Sequence, residues 1–282
     1  MSQMLSEERV KELKRFSKKI QMETMKTICE IGMGHVGGSL SISDLLALLY
    51  DQEMKIDPKN PKWEERDWLV LSKGHCAPAL YSTLALKGYF PMEWLMTVNK
   101  NNTNLPSHAD RLKVPGVDMT TGSLGQGSSA AAGIALGLKM EDKPNYVYLI
   151  LGDGECQEGQ VWEAALFAPQ HKLNHLIAFV DLNRLQLDGF TDDICAMGDM
   201  EAKFTDFGWY TQGVNGHDIQ AIHMAIENAK RQPEKPSMII LHTIKGNGWS
   251  EIAGKTNSHA PTVSKEQLAQ ALAEMEEAYA QI

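Results

Sequence analysis

The chain has 282 residues, 43% of them hydrophobic, enough for one large α/β domain or two small ones around a substantial core. Its net charge of −9, without a basic block, disfavours nucleic acid as a partner. Cys29, Cys76, Cys156 and Cys195 are far apart and show neither metal nor redox spacing, no signal peptide is visible and no apolar stretch approaches membrane length, so a cytoplasmic protein with reduced thiols and no membrane contact is expected.

In chain order, residues 6–30 read as a long amphipathic helix, with Ser6 as N-cap ahead of two acidic residues. The stretch from Ile31 to Ser39 is a glycine-rich loop, and glycine lets backbone approach a ligand closely. His35 within it is either a loop histidine bonded to backbone or a site residue. Ser43 with Asp44 is expected to cap a second helix, 45–50. Residues 66–75 form a strand running into a turn, with Lys73 and His75 at its end. There they either offer hydrogen-bond donors to a diphosphate or serve as a solvated lysine and a capping histidine. A helix over 77–87 stops at Gly88, and 99–116 is a polar, turn-rich surface loop containing His108 and Arg111. Arg111 reads more simply as solvated than as an anion contact. The loop 120–127, with Gly122, Ser123 and Leu124, opens a small-residue helix over 128–139. Free backbone N–H groups and a positive dipole end suit phosphate there, or close packing on a flat ring. No Walker loop and no Gly-x-Gly-x-x-Gly fingerprint is present. The small residues imply tight packing against another helix or a second subunit.

Strand 146–151, helix 159–170 and strand 175–180 make one βαβ unit. Such a crossover brings Gly152, Asp153 and Gly154 beside Asn183 on the edge where open α/β sheets bind ligands. One carboxylate, one amide oxygen and flanking glycines suit a hard cation that also holds phosphate oxygens, as magnesium does. Gly-Asp-Gly alone is also an ordinary turn; the second element at βαβ distance is what favours the metal. Residues 203–210 hold a short helix and the start of a strand, Asp218 caps a helix over 219–231 behind a structural His217, and 237–243 is a last buried strand with Lys245 beyond its end. A loop carries His259, and Ser264 caps a closing helix to 280. Alternating strands and helices imply an α/β fold, an open, mostly parallel sheet with helices on both faces.

Gly152-Asp153-Gly154 with Asn183 resembles the thiamine diphosphate motif. The residues that follow, from Glu155 through Glu158, Gly159, Val161, Trp162 and Glu163 to Ala164, resemble transketolases specifically, as do the stretches Gly122 to Gly127 and Ser72 to His75. The resemblance runs in motif order from Ser6 to about Gln270. Departures are Leu182 before the asparagine, Val36 after His35 and Ala109 after His108 in place of prolines, and no glycine after His259. The resemblance implies thiamine diphosphate and Mg2+ (or Ca2+ or Mn2+ in its place), with Asp153, Asn183 and the backbone of Leu185 on the metal. It implies cofactor contacts from Lys73, His75, Gly122, Ser123, Leu124, Gly152, Asp153, Gly154, Glu155, Asn183, Lys245 and His259. His35, His75, His108 and His259 are implied at the reacting carbon, where imidazoles titrating near neutrality would move protons. It further implies that residues 1–282 are one diphosphate-binding domain, without the pyrimidine-binding and C-terminal domains of a full-length transketolase. The chain would then be the N-terminal subunit of a split enzyme, two of each subunit. Its partner would supply the glutamate that faces the aminopyrimidine ring and the arginines for substrate phosphate. The reaction implied is transfer of a two-carbon ketol unit from a ketose phosphate, or related anionic ketose, to an aldose. The alternatives are another thiamine diphosphate enzyme subunit, such as the alpha subunit of a 2-oxo acid dehydrogenase, a cofactor-binding module without transferase activity, or a nucleotide-binding fold with a phosphate loop.

Overall fold

A computed structural model describes residues 4–282. Helix α1 (Glu7–Ile31) starts where the Ser6 hydroxyl accepts the Arg9 N–H at 3.1 Å and stops at Gly32, whose φ of +87° suits glycine. Helices α2 (Val36–Ser41) and α3 (Ser43–Leu48) follow almost without a break. The glycine-rich stretch is therefore loop only as far as His35; its second half is buried helix. Ser43 and Asp44 do not cap α3. The Ser43 hydroxyl donates back to the Ser39 carbonyl at 3.2 Å, and the Asp44 carboxylate accepts from Ser17 at 2.7 Å.

Strand β1 (Trp68–Leu71) leads through a tight turn to α4 (Ala77–Leu86). Helix α5 (Gln126–Met140) precedes β2 (Val147–Gly152), and α6 (Gly159–Gln170) crosses to β3 (Leu176–Leu182). A small hairpin, β4 (Leu185–Gln186) and β5 (Gly189–Phe190), and the short α7 (Thr191–Cys195) and α8 (Met200–Asp206) come next. Then β6 (Tyr210–Asn215), α9 (Ile219–Ala229), β7 (Ser237–His242) and α10 (Lys265–Ala280) complete the chain. Asp218 caps α9 through the Ala221 N–H, and Ser264 forms a capping box with Gln267.

The main sheet has five strands in the order β1-β2-β3-β7-β6, every neighbouring pair parallel. Its central strands are apolar on both faces because helices cover both. Leu71, Tyr148, Ile150, Phe179 and Ile239 face the layer of α1, α3, α4 and α9, while Val70, Leu149, Leu151, Val180 and Ile240 face that of α5, α6 and α8. Each such buried side chain stabilises the fold by roughly 1.5–3 kcal/mol. A third cluster joins α1, α2 and α10 to the loop after β7 through Met25, Leu40, Trp249, Val263 and Met275. This packing anchors that loop over the ends of the strands. No helix among the described residues is long and apolar enough to cross a membrane.

Candidate active site

Parallel pairing puts the C-terminal ends of β1, β2, β3 and β7 on one edge, and the chemistry-bearing residues lie just past those ends. Gly152 pairs with Asp181 in the β2–β3 register, so Asp153 and Asn183 emerge together. Both are anchored on one turn: an Asp153 oxygen accepts the Arg184 N–H, and the Asn183 oxygen accepts the Leu185 N–H at 3.1 Å. The Leu185 carbonyl accepts from the Lys245 ammonium at 2.7 Å. Asp153, Asn183 and Leu185 thus meet at the turn 183–185 and line one cleft. Asp153 is buried, and burial together with the Asp181 carboxylate raises its pKa to about 6. A buried carboxylate held by backbone N–H groups and pressed by a second carboxylate calls for a cation. Among the described residues no three His, Cys, Asp or Glu side chains assemble a metal site by themselves. A magnesium ion that shares phosphate oxygens needs only one or two protein carboxylates, so this donor set suits it.

The four histidines singled out in the sequence meet above this turn. The His35 ring lies 5.0 Å from His75, 6.0 Å from His108 and 5.1 Å from His259, and His75 lies 5.3 Å from His259. They share a cleft of about 340 Å³ with Asp153, Asn183 and Lys245. Three close backbone approaches hold the cluster. A Cβ on Gly37 would lie 2.5 Å from the Ser258 carbonyl, one on Gly74 would lie 2.7 Å from the Gly122 nitrogen, and one on Gly122 would lie 3.0 Å from the His108 ring. Gly122, at φ +145°, has the backbone that glycine adopts freely.

The electrostatics correct the expectation of near-neutral imidazoles. Burial lowers the pKa of all four, and Lys245 and the neighbouring rings add to this at His35, His75 and His259. His259 falls to about 4, first through burial and then through Lys245, whose ammonium is 3.1 Å from its Nδ1. At neutral pH the rings are uncharged, each with one donor and one acceptor nitrogen. They are suited to hold hydroxyl groups and to pass a proton on rather than to store one.

Of the expected contacts, Lys73 and Glu155 line the cleft while bonded within the protein, and Ser123 lies outside its wall. Lys73 is buried with its ammonium on Asp181 at 2.5 Å and the Gly38 carbonyl at 3.0 Å, while Lys245, also buried, bonds the Leu185 carbonyl and His259. Glu155 spends its carboxylate on the Ser72 hydroxyl, the Gly125 N–H at 2.9 Å and the Gly152 N–H at 3.1 Å. It fastens the 122–125 loop to the ends of β1 and β2. Ser123 is exposed and is not part of the cleft wall, whereas Gly122 and Leu124 are. A larger groove, about 870 Å³, runs beside Trp68 at the start of β1, away from these strand ends. Its ion pair, Arg66–Asp118 at 2.6 Å, serves to tie the loop before α5 to the sheet, since Asp118 also accepts the Leu69 N–H.

The family profile described as "Transketolase, thiamine diphosphate binding domain" matches residues 13–277. The chain belongs to this family. A 6-deoxy-6-sulfo-D-fructose transketolase subunit, SqwG, from Clostridium sp. (strain MSTE9) is 54% identical over 91% of this chain and 94% of its own length. A subunit of the apulose-4-phosphate transketolase from Phocaeicola vulgatus is 36% identical over 93% of this chain and 92% of its own. The transketolase from Leishmania mexicana superposes with a TM-score of 0.89 at 28% identity, with 97% of this chain covering 42% of that one. Membership in the transketolase family sets aside the reading as a 2-oxo acid dehydrogenase component.

Within this transketolase domain, the residue that sequence reasoning missed is Asp181. It is fully buried beneath the cleft and receives Ser41, Lys73, Asn183 and Thr243. Its signal was available: a carboxylate near the end of a strand apolar on both faces needs partners. Ser41 and Thr243 carried no such signal, because a hydroxyl at a helix or strand end is common.

Proposed function

We propose that the chain is one diphosphate-binding subunit of a two-subunit transketolase that moves a two-carbon ketol unit from an anionic ketose to an aldose. The observation that carries this reading is the cluster of neutral imidazoles directly above a cation-seeking Asp153–Asn183 turn. Asp153, Asn183 and the Leu185 carbonyl would hold Mg2+, and Lys245 would face the diphosphate. Thiamine diphosphate, when bound, supplies the electron sink for breaking the carbon–carbon bond beside a ketose carbonyl. His259, bonded to Lys245, would face the diphosphate, and His35, His75 and His108 could accept from and donate to substrate hydroxyls. Their lowered pKa values make any proton they take easy to return, which suits a relay within one turnover. Gly122 and Leu124 in the cleft wall would lie against the cofactor's ring.

The separate partner is supported by the word "subunit" in the names of both relatives, whose lengths this chain nearly matches. The anionic ketose is supported by the same names, one a sulfosugar and one a sugar phosphate. With the higher identity to the sulfosugar enzyme, a 6-sulfonated ketose is the first donor to try. The test is transfer from 6-deoxy-6-sulfo-D-fructose and from ketose phosphates to an aldose phosphate, with thiamine diphosphate and Mg2+. Turnover is expected only when this chain is combined with a partner subunit. Full turnover by the purified chain alone would overturn the two-subunit reading, and failure to bind thiamine diphosphate at all would overturn the whole.

A further inference from the structure

Asp181 holds Asn183 in one of its two possible orientations. One Asp181 oxygen accepts from Ser41 at 2.6 Å, Lys73 at 2.5 Å and the Asn183 side-chain nitrogen at 2.9 Å; the other accepts from Thr243. An ionised carboxylate has only acceptors, so it can be met only by the NH2 end of an amide. The amide oxygen is thereby turned to the Leu185 N–H, on the turn whose neighbouring N–H holds Asp153. Were Asp181 protonated or apolar, either end of the amide could face inward. The Leu185 N–H alone would then select the oxygen, and the flipped amide, with an NH2 group useless to a cation beside Asp153, would lose its main penalty. Lys73 supplies the counter-charge that Asp181 lacks from water: the pair is fully buried, with the ammonium 2.5 Å from the carboxylate.

We propose that Asp181, neutralised by Lys73, is a positioning residue that fixes the Asn183 amide with its oxygen toward the cation, without touching the cation itself. This inference rests on the diphosphate–magnesium reading above. A buried Lys–Asp pair could equally be a purely structural tie between β1 and β3. The two roles separate through the chemistry of residue 183. A carboxylate at 183 has oxygen at both ends and needs no orienting group.

The experiment titrates Mg2+ at fixed thiamine diphosphate, followed by calorimetry and tryptophan fluorescence, on the full chain with its co-purified partner subunit. Lys73→Met/Asp181→Leu removes the charge pair without leaving a lone buried ion. It is expected to raise the half-saturating Mg2+ concentration about 10- to 100-fold, the usual consequence of losing a group that orients a metal ligand. Adding Asn183→Asp to that background is expected to bring the concentration back to within about threefold. In the otherwise unaltered chain Asn183→Asp sets a second carboxylate against Asp181 and weakens binding, so the same change has opposite signs in the two backgrounds. If the Met/Leu pair does not give native near-ultraviolet circular dichroism, the near-isosteric Lys73→Gln/Asp181→Asn pair takes its place, with the same direction and the same rescue expected. An unchanged Mg2+ requirement in a natively folded pair variant, or a loss that Asn183→Asp does not relieve, overturns the proposal. Failure of the unaltered protein to bind thiamine diphosphate would instead overturn the function on which it rests.

Discussion

Replacing Gly37 by alanine tests whether the histidine cluster depends on backbone contact. The new Cβ would stand 2.5 Å from the Ser258 carbonyl oxygen and 2.8 Å from the Lys245 Cγ, where ordinary contact begins near 3.4 Å. The backbone at 258 would have to retreat by the difference, about 0.9 Å. It has little freedom to do so, because Ser258 is buried and the Gly37 carbonyl accepts the Gly246 N–H at 2.9 Å. Overpacking of this kind costs about 1–3 kcal/mol of stability. The displacement falls between His35 and His259, two rings 5.1 Å apart that flank the changed contact on either side. A misplacement near 1 Å at a reacting centre can lower kcat about 100-fold. The assay is ketol transfer by the reconstituted enzyme, with a thermal melt and a cofactor titration on the same preparation. Gly159→Ala is the control, since nothing lies within 4 Å of its Cβ. A Gly37→Ala enzyme with kcat within about twofold of wild type and an unchanged Tm would refute the argument.

Lys73→Met alone leaves Asp181 buried opposite no cation and is expected to cost about 3–5 kcal/mol in urea unfolding; a loss below about 1 kcal/mol would mean the pair matters little. His259→Ala is expected to lower turnover about 100- to 10,000-fold while thiamine diphosphate affinity stays near normal; parallel loss of both would make His259 a binding residue only. The folded state holds fewer protons than the unfolded one wherever a histidine pKa is depressed, so stability should rise with pH from about 4, the His259 value, up to the ordinary histidine range. His259→Gln should flatten that rise in a pH series of unfolding midpoints, and an unaltered slope would assign it to other groups. Gly133→Ala and Gly137→Ala meet no atom within 4 Å of the added Cβ. Each should stabilise the isolated chain by up to about 1 kcal/mol through helix propensity, and a lower Tm would show that the open face of α5 is already packed.

Much of the site was legible because the βαβ unit fixes where strand ends go. Two apolar runs with a helical segment between them placed Asp153 beside Asn183, and the structure brings them to one turn. The four histidines were legible only through motif resemblance, since they come from four loops whose mutual approach leaves no periodic trace. The physical reason lies in Gly37 and Gly74, whose missing side chains let loops touch backbone to backbone, and in Gly122, whose missing side chain leaves space for the His108 ring. What the sequence did not reveal was partnership. Lys73 and Glu155 are charged residues near the site in number and in space, yet each is consumed by protein groups. The helical start at Val36 was hidden too, because glycine-rich stretches favour loops unless burial overrides propensity, as it does for Gly37 and Gly38.

Burial also explains why this edge of the sheet should bind an anion and a cation together rather than either one. A diphosphate alone would meet Lys245, but it would also meet Asp153, which is poorly solvated and already repelled by Asp181. A divalent cation alone would relieve Asp153, but would stand near the Lys245 ammonium. Bound as a pair, each ion offsets the charge that would oppose the other. The same pairing acts on the imidazoles. An anion beside Lys245 would weaken the repulsion that, after burial, helps hold His259 uncharged, and would raise its affinity for protons.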